Sequence, residues 1–419
     1  MGDGLEPKLP CRYLAKMLGA GEEPPPRVSA FYMLCSFLGA FSGISVLASL
    51  HSRLMKPEAN LVLLIGAFGA MSVLLFSACK AYVAQPLNVI LGNTLGGLVG
   101  VTVFELMAFA NVDLLWLTAA LAVSLTILAQ ELTRSVHPPG AATALIYVIT
   151  PSVQHLGMTY VFCPAFLGAV ILVAVACVTN NLSPDRTYPQ YWWPWKSIRL
   201  ESDSQEEASI ESKTPRFGRL HSFLAKFRGD AEVPVDAFPL LQQSWCSFLG
   251  SFLGIAVLAL IHERLFPDAV LLIGSCGAVA GIVFSSWRSP LGQPKNVILG
   301  NTLGGLAGFL VQRLLSLASE NGTWLTAPLA LALTITLQEL GNAVHPPGGA
   351  TALLFAMDPS LQRMGYMYVL SPSFLGAVIL VSLGCLTNNL AQRQYPQYWF
   401  PPLSVNYFAR KAETLECQC

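Results

Sequence analysis

Charge is what this 419-residue sequence lacks: only 11% of its residues are charged, and 24 Lys and Arg balance 24 Asp and Glu. A soluble domain typically carries about 25% charged residues, so water is not the main solvent for this surface. Zero net charge gives no electrostatic ground for a nucleic-acid partner. The ten cysteines form no C-x-x-C pair, which argues against a zinc knuckle or a secreted disulfide framework. Cys35, Cys79, Cys177, Cys276 and Cys385 sit inside apolar runs and read as packing residues. There are only six histidines, and neither an H-E-x-x-H nor a G-x-S-x-G motif occurs. No metal, no cofactor and no enzymatic activity are therefore expected. Residues 1–10 contain Asp3 and Glu6 and no apolar core, so they read as neither a signal peptide nor a transit peptide.

What is present is hydrophobic length: 53% of the residues are hydrophobic, with a mean hydropathy of +0.55. Runs such as Phe31–Leu50, Leu61–Ala78 and Ala165–Val178 are nearly uncharged, and several approach the roughly 20 residues that span a bilayer as a helix. A large soluble bundle would show amphipathic stripes, whereas these segments are apolar all round. The sequence predicts an all-α, polytopic transmembrane bundle in contact with membrane lipid.

The bundle is built twice. Gln85-Pro86-Leu87-Asn88 through Gly97 recurs as Gln293-Pro294-Lys295-Asn296 through Gly305, and His137-Pro138-Pro139-Gly140 recurs as His345-Pro346-Pro347-Gly348. Phe166–Val173 and Asn180-Asn181 return at the same offset. The expected organisation is an interfacial segment at 1–27, a first unit at 28–195, a linker at 196–236, a second unit at 237–402 and a tail at 403–419. The linker stretch from Phe217 to Arg228 reads as a short basic helix on an anionic leaflet. Each unit offers six apolar segments, about 30–50, 61–79, 88–110, 114–130, 140–150 and 161–179 in the first. The fifth is too short to span alone, and Glu131–Thr150 reads as one discontinuous crossing. Basic stretches open both copies, so the positive-inside bias places both starts in the cytoplasm. Each unit then crosses an even number of times and the copies are parallel. Odd crossings would instead give inverted copies. With even crossings, the sequon Asn321-Gly322-Thr323 falls outside.

Glu131 and His137-Pro-Pro-Gly140 with Thr143, and Glu339 and His345-Pro-Pro-Gly348 with Thr351, are the candidate solute-binding stretches. Two prolines end one helix, and the next begins at small residues with unpaired amides that favour an anion. Protonated His137 or His345, tuned by Glu131 or Glu339, would add positive charge. The competing reading is a Glu–His pair that caps a loop. In Gly92-Asn93-Thr94-Leu95-Gly96-Gly97 and Gly300–Gly305, the glycines read as close helix packing, and Asn93 and Asn301 as cavity groups. Asn180-Asn181 and Asn388-Asn389 read as helix caps. The Tyr188 and Tyr395 aromatic clusters read as interfacial belts.

The duplicated His-Pro-Pro-Gly, the Gly-Asn-Thr-Leu-Gly-Gly run and the Thr-Asn-Asn ending resemble the HPP family of integral membrane proteins, from about Val28 to Tyr191 and again from about Phe238 to Tyr398. The resemblance implies a membrane fold of four helices per unit. Through its nitrite-transporting members, it also implies a small anion as the solute. The function expected from the residues and the resemblance together is a transporter or channel for a small anion such as nitrite, against the alternatives of a membrane enzyme or a scaffold.

Overall fold

A computed structural model of the chain describes residues 16–17, 19–54, 61–193, 226–227, 241–265, 270–318, 323–390 and 393–399. Among these residues the structure is helical, with no β-strand. The basic linker helix, apart from Lys226 and Phe227, lies outside the described residues, as do Asn321 of the sequon and the tail.

The first unit runs α1 (Ala30–Leu54), α2 (Ala67–Phe76), α3 (Pro86–Phe109), α4 (Leu115–Leu132), α5 (Pro138–Ile149) and α6 (Leu167–Asn181, entered through a π-helical turn at Val161–Phe166). The second repeats it as α7 (Leu241–Leu265), α8 (Ser275–Ala280), α9 (Pro294–Ala318), α10 (Thr323–Leu340), α11 (Pro346–Met357) and α12 (Gly376–Leu390). At 1.5 Å per residue, the 25 residues of α1 extend roughly 37 Å, enough for a hydrocarbon core of about 30 Å. Among the described residues seven helices are long and apolar enough to cross a membrane. The first unit supplies four of them and the second three, its α10 being counted among the shorter apolar helices, and each unit adds two half-length ones, α2 and α5 or α8 and α11. The six apolar segments of the first unit are thus four long helices and two short ones.

Two sequence expectations about these segments need correction. The second segment is not one helix, because 61–65 has no regular secondary structure before α2 begins. Irregular backbone at membrane depth needs partners for its polar groups; here Leu63 N–H donates to His51 Nδ1 at 3.3 Å, and Cys163 Sγ donates to the Val62 carbonyl at 3.4 Å. Glu131–Thr150 is not one crossing either. The chain reverses at 133–135, with Arg134 at φ +56° and Ser135 N–H closing onto the Gln130 carbonyl at 2.8 Å. As a result α5 runs back alongside α3.

The half-helices form the centre, and they pair across units. All of α2 and nearly all of α5 are buried. A Cβ on Gly69 would lie 2.1 Å from the Gly349 carbonyl oxygen, and one on Gly277 would lie 2.5 Å from that of Ala141. Backbone therefore meets backbone between α2 and α11, and between α8 and α5. Around this centre α1 packs on α10 and α7 on α4, again across units.

Both units start and end on one face. Tyr32, at the start of α1, donates through its hydroxyl to the Ser77 carbonyl, and Arg186, beyond α6, donates to the Tyr32 carbonyl. Arg393 does the same to the Gln243 carbonyl. The copies are parallel, as an even number of crossings requires.

Candidate functional site between the two units

The two motifs that stand out in the sequence are halves of one joint. Gly92, Gly96 and Gly100 form a ridge on α3, and a Cβ at these positions would fall 2.4 Å from the Ser135 oxygen, 2.0 Å from the Gly140 oxygen and 2.7 Å from Ala144 Cα. The His-Pro-Pro-Gly turn is thus seated on the glycine run, which supports packing as the role of those glycines. Gln130, which sequence reading passed over, fastens it. Its Nε2 donates to the Gly92 and His137 carbonyls, both at 2.9 Å, and its Oε1 accepts from His137 N–H at 3.1 Å. Gln338 does the same for Gly300 and His345.

This joint has no amide to offer an anion, contrary to the expectation from the Pro-Pro break. Pro138 and Pro139 carry no N–H, and Gly140 N–H donates to the His137 carbonyl at 2.9 Å. Gly348 N–H likewise donates to His345 at 3.0 Å. Thr143 Oγ1 donates to Asn93 Oδ1 at 2.6 Å, and Asn93 Nδ2 donates to the Ala165 carbonyl at 2.7 Å. Thr351 and Asn301 repeat the first bond at 2.6 Å. Asn93, Asn301, Thr143 and Thr351 therefore tie helices together.

His137 is fully buried, with Nδ1 2.8 Å from the Val83 carbonyl, and His345 Nδ1 is 2.8 Å from that of Leu291. A carbonyl only accepts, so Nδ1 carries the proton; Nε2 has no partner at either site. His137→Asn, whose amide nitrogen replaces Nδ1, should unfold near the wild-type temperature. His137→Leu should lose about 1–3 kcal/mol by orphaning the Val83 carbonyl. Thermal unfolding of the purified pair checks this, and equal stability of the two would contradict it.

Neither Glu131 nor Glu339 pairs with its histidine, because each points into the other unit. Glu339 Oε1, at the end of α10, accepts from Ser36 Oγ on α1 and Ser77 Oγ after α2, both at 2.7 Å. Ser36 Oγ in turn accepts from Arg186 Nη2 at 2.7 Å. The guanidinium's other partners are the carbonyls of Phe76 (2.6 Å) and Tyr32 (2.5 Å) and Asn180 Oδ1 (3.1 Å). Its hydrogen bonds all go to uncharged oxygens, and its carbon lies 3.7 Å from the Tyr32 ring centre.

The partner site repeats the layout. Arg393 donates to the Phe284 carbonyl at 2.6 Å, Asn388 Oδ1 at 3.1 Å, Ser247 Oγ at 2.9 Å and the Gln243 carbonyl. Glu131 faces Ser244, Ser247, Ser285 and Arg393, yet neither of its oxygens closes a hydrogen bond. Glu131 is 4% exposed, Glu339 3%, Arg186 1% and Arg393 4%, so four ionisable side chains are buried in two clusters that join the units. The two arginines escaped sequence reading because they follow the last helix of each unit, where a cation reads as a solvated flank. Their only signal was the matched position, Asn180-Asn181 with Arg186 and Asn388-Asn389 with Arg393.

Two more expectations change. Asn180 and Asn388 brace neighbouring helices, donating to the Leu75 carbonyl at 2.9 Å and the Val283 carbonyl at 3.0 Å. Tyr188 and Tyr395 are fully buried, donating to the carbonyls of Ala84 and Gly292, and so are not an interfacial belt. A cavity of about 650 Å³, lined among others by Phe104, Asn111, Asp113, Thr118 and Ile149, opens at the far end of α5 and shares no residue with either cluster.

The HPP transmembrane region is matched twice, at residues 25–189 and 237–396. Two transmembrane proteins of Dictyostelium discoideum are each 38% identical to the chain, over 183 and 182 residues. Each match spans 43% of this chain and 64% or 58% of the relative, so the chain covers less than two thirds of their length. No solved structure matches. Two matched regions that take up most of the chain, each folded into long apolar helices around its His-Pro-Pro joint, make this a multi-pass membrane protein of the HPP family with two HPP units in tandem.

Proposed function

We propose that the chain transports a small anion together with a proton, and that it is not an enzyme. Nitrite is the candidate solute that the family resemblance suggests. The inter-unit Glu–Arg clusters, and not the His-Pro-Pro turns, are the sites in this reading. The observation that carries it is a buried guanidinium in each cluster whose hydrogen bonds all end on uncharged oxygens, beside a carboxylate with at least one unpartnered oxygen. Charges buried this way are costly unless they neutralise one another. A proton taken up by the carboxylate leaves the guanidinium as the uncompensated charge, and an anion then replaces it. Proton and anion favour each other's binding by linkage. Half-length helices meeting in the core also support a transporter. Ionisable groups inside a membrane domain, more often functional than structural, do so as well.

Proteoliposomes holding the full chain should accumulate nitrite faster when the outside is made acidic. Substituting both carboxyls, Glu131→Gln with Glu339→Gln, should abolish that acceleration. If nitrite, nitrate and chloride all move no faster than in protein-free vesicles at any pH gradient, the proposal is wrong.

A further inference from the structure

The two clusters are related by the repeat, but they are not equally closed. Glu339 Oε1 is held by two serine hydroxyls at 2.7 Å, and the Tyr32 ring covers its arginine at 3.7 Å. Glu131 has both oxygens unpartnered while facing three serines, and Arg393 lies 5.9 Å from the nearest ring centre, that of Trp287. The difference is written in the sequence. Ser244 stands where the first copy has Met33, Ser286 where it has Ala78, and Tyr82 where the second copy has Pro290. Each substitution adds a hydroxyl on the Glu131 side. Tyr82 and Ser286 hydrogen-bond across the units at 2.9 Å.

From this asymmetry we infer that only the Glu131–Arg393 cluster exchanges proton and anion, and that Glu339–Arg186 is a fixed strut between the units. This inference rests on the transport reading above. The ligand class is a small oxyanion. Ser244 and Ser285 supply hydroxyl donors, and Arg393 Nε, buried and unpartnered like its counterpart Arg186 Nε, supplies a charged one. The titratable and charged groups facing Glu131 are Tyr82 from the turn before α3 and Arg393 from beyond α12. Arg393 is itself faced by Cys246 and Arg288. A proton on Glu131 leaves Arg393 and Arg288 as the cluster's charges, so an anion is favoured as pH falls.

Infrared titration of the purified full-length protein can assign the exchanging carboxyl without any flux. A carboxyl band that responds to pH, and shifts on adding nitrite, should disappear in Glu131→Gln and persist in Glu339→Gln. In vesicles, Glu131→Gln should lower proton-driven nitrite flux by at least about tenfold, whereas Glu339→Gln should mainly lower the unfolding temperature. Ser244→Ala guards against misfolding: it should raise the nitrite concentration for half-maximal flux at an unchanged unfolding temperature. Loss of the band in Glu339→Gln, equal loss in both variants, or no effect of Ser244→Ala would overturn the inference. A wild-type protein that moves no anion but keeps the Glu131-specific band would defeat the transport reading and leave the asymmetry standing.

Discussion

Alanine at Gly96 or Gly304 is expected to destabilise the protein by about 3 kcal/mol or more, at or beyond the upper end of usual overpacking costs. The added Cβ would lie 2.0 Å from the carbonyl oxygen of Gly140 or Gly348, a backbone atom that no rotamer change can move. Nor can α5 retreat as a body. Its opposite side is pressed on the second unit, where a Cβ at Gly277 would already meet the Ala141 oxygen at 2.5 Å. The strain would therefore pass to the unit interface. Thermal unfolding in detergent, with Gly376→Ala as the control, measures the effect. Gly376 is helical, with nothing closer than 3.6 Å to an added Cβ, so alanine there should be neutral or better by up to roughly 1 kcal/mol. Equal behaviour of Gly96→Ala and Gly376→Ala would mean that the α3–α5 contact is looser than the geometry requires.

The second large effect is expected at Arg186. Arg186→Leu removes a buried cation and strands the Phe76 carbonyl and Asn180 Oδ1, both of which it binds. It also leaves Glu339 as a buried carboxylate without its nearby positive charge. Removing one partner from a buried charged group typically costs about 3–5 kcal/mol, and the loss should be greater at high pH, where Glu339 keeps its charge. Arg186→Lys should recover only part, because a single ammonium cannot replace a planar fork that reaches four acceptors on α1, α2 and α6. A fully stable lysine variant would show that charge alone suffices. Pairing Arg186→Leu with Glu339→Gln should soften the penalty, since the stranded charge is then gone.

Much of the fold was legible because its signals are local or repetitive. Helix after helix is long and uncharged, Pro86, Pro138, Pro294 and Pro346 mark first turns, and rare residues recur in order at one offset. The reversal at Arg134 was missed because a left-handed non-glycine residue has no strong composition cue. Its effect was to leave Glu131 at the end of α4 and to start the next helix only at Pro138. The His-Pro-Pro-Gly and Gly-Asn-Thr-Leu-Gly-Gly motifs were both visible, but not that each is the other's partner.

The sequence by itself determined the solvent, the helical class and the duplication; it favoured parallel copies but left inverted ones open. Only the tertiary structure decided which residues meet. Helices apolar all round carry no stripe to say which face turns inward, so nothing local could direct Glu131 away from His137, six residues along. Two homologous units also present matching surfaces, and a sequence cannot say whether a helix packs within its own copy or on the other. Here α1 packs on α10 and α7 on α4. That exchange brings Glu339 to Ser36 and Arg186, and Glu131 to Ser247 and Arg393. The buried charges find their partners in the opposite copy because that is where the packing of the half-helices leaves uncharged acceptors and the arginines already in place.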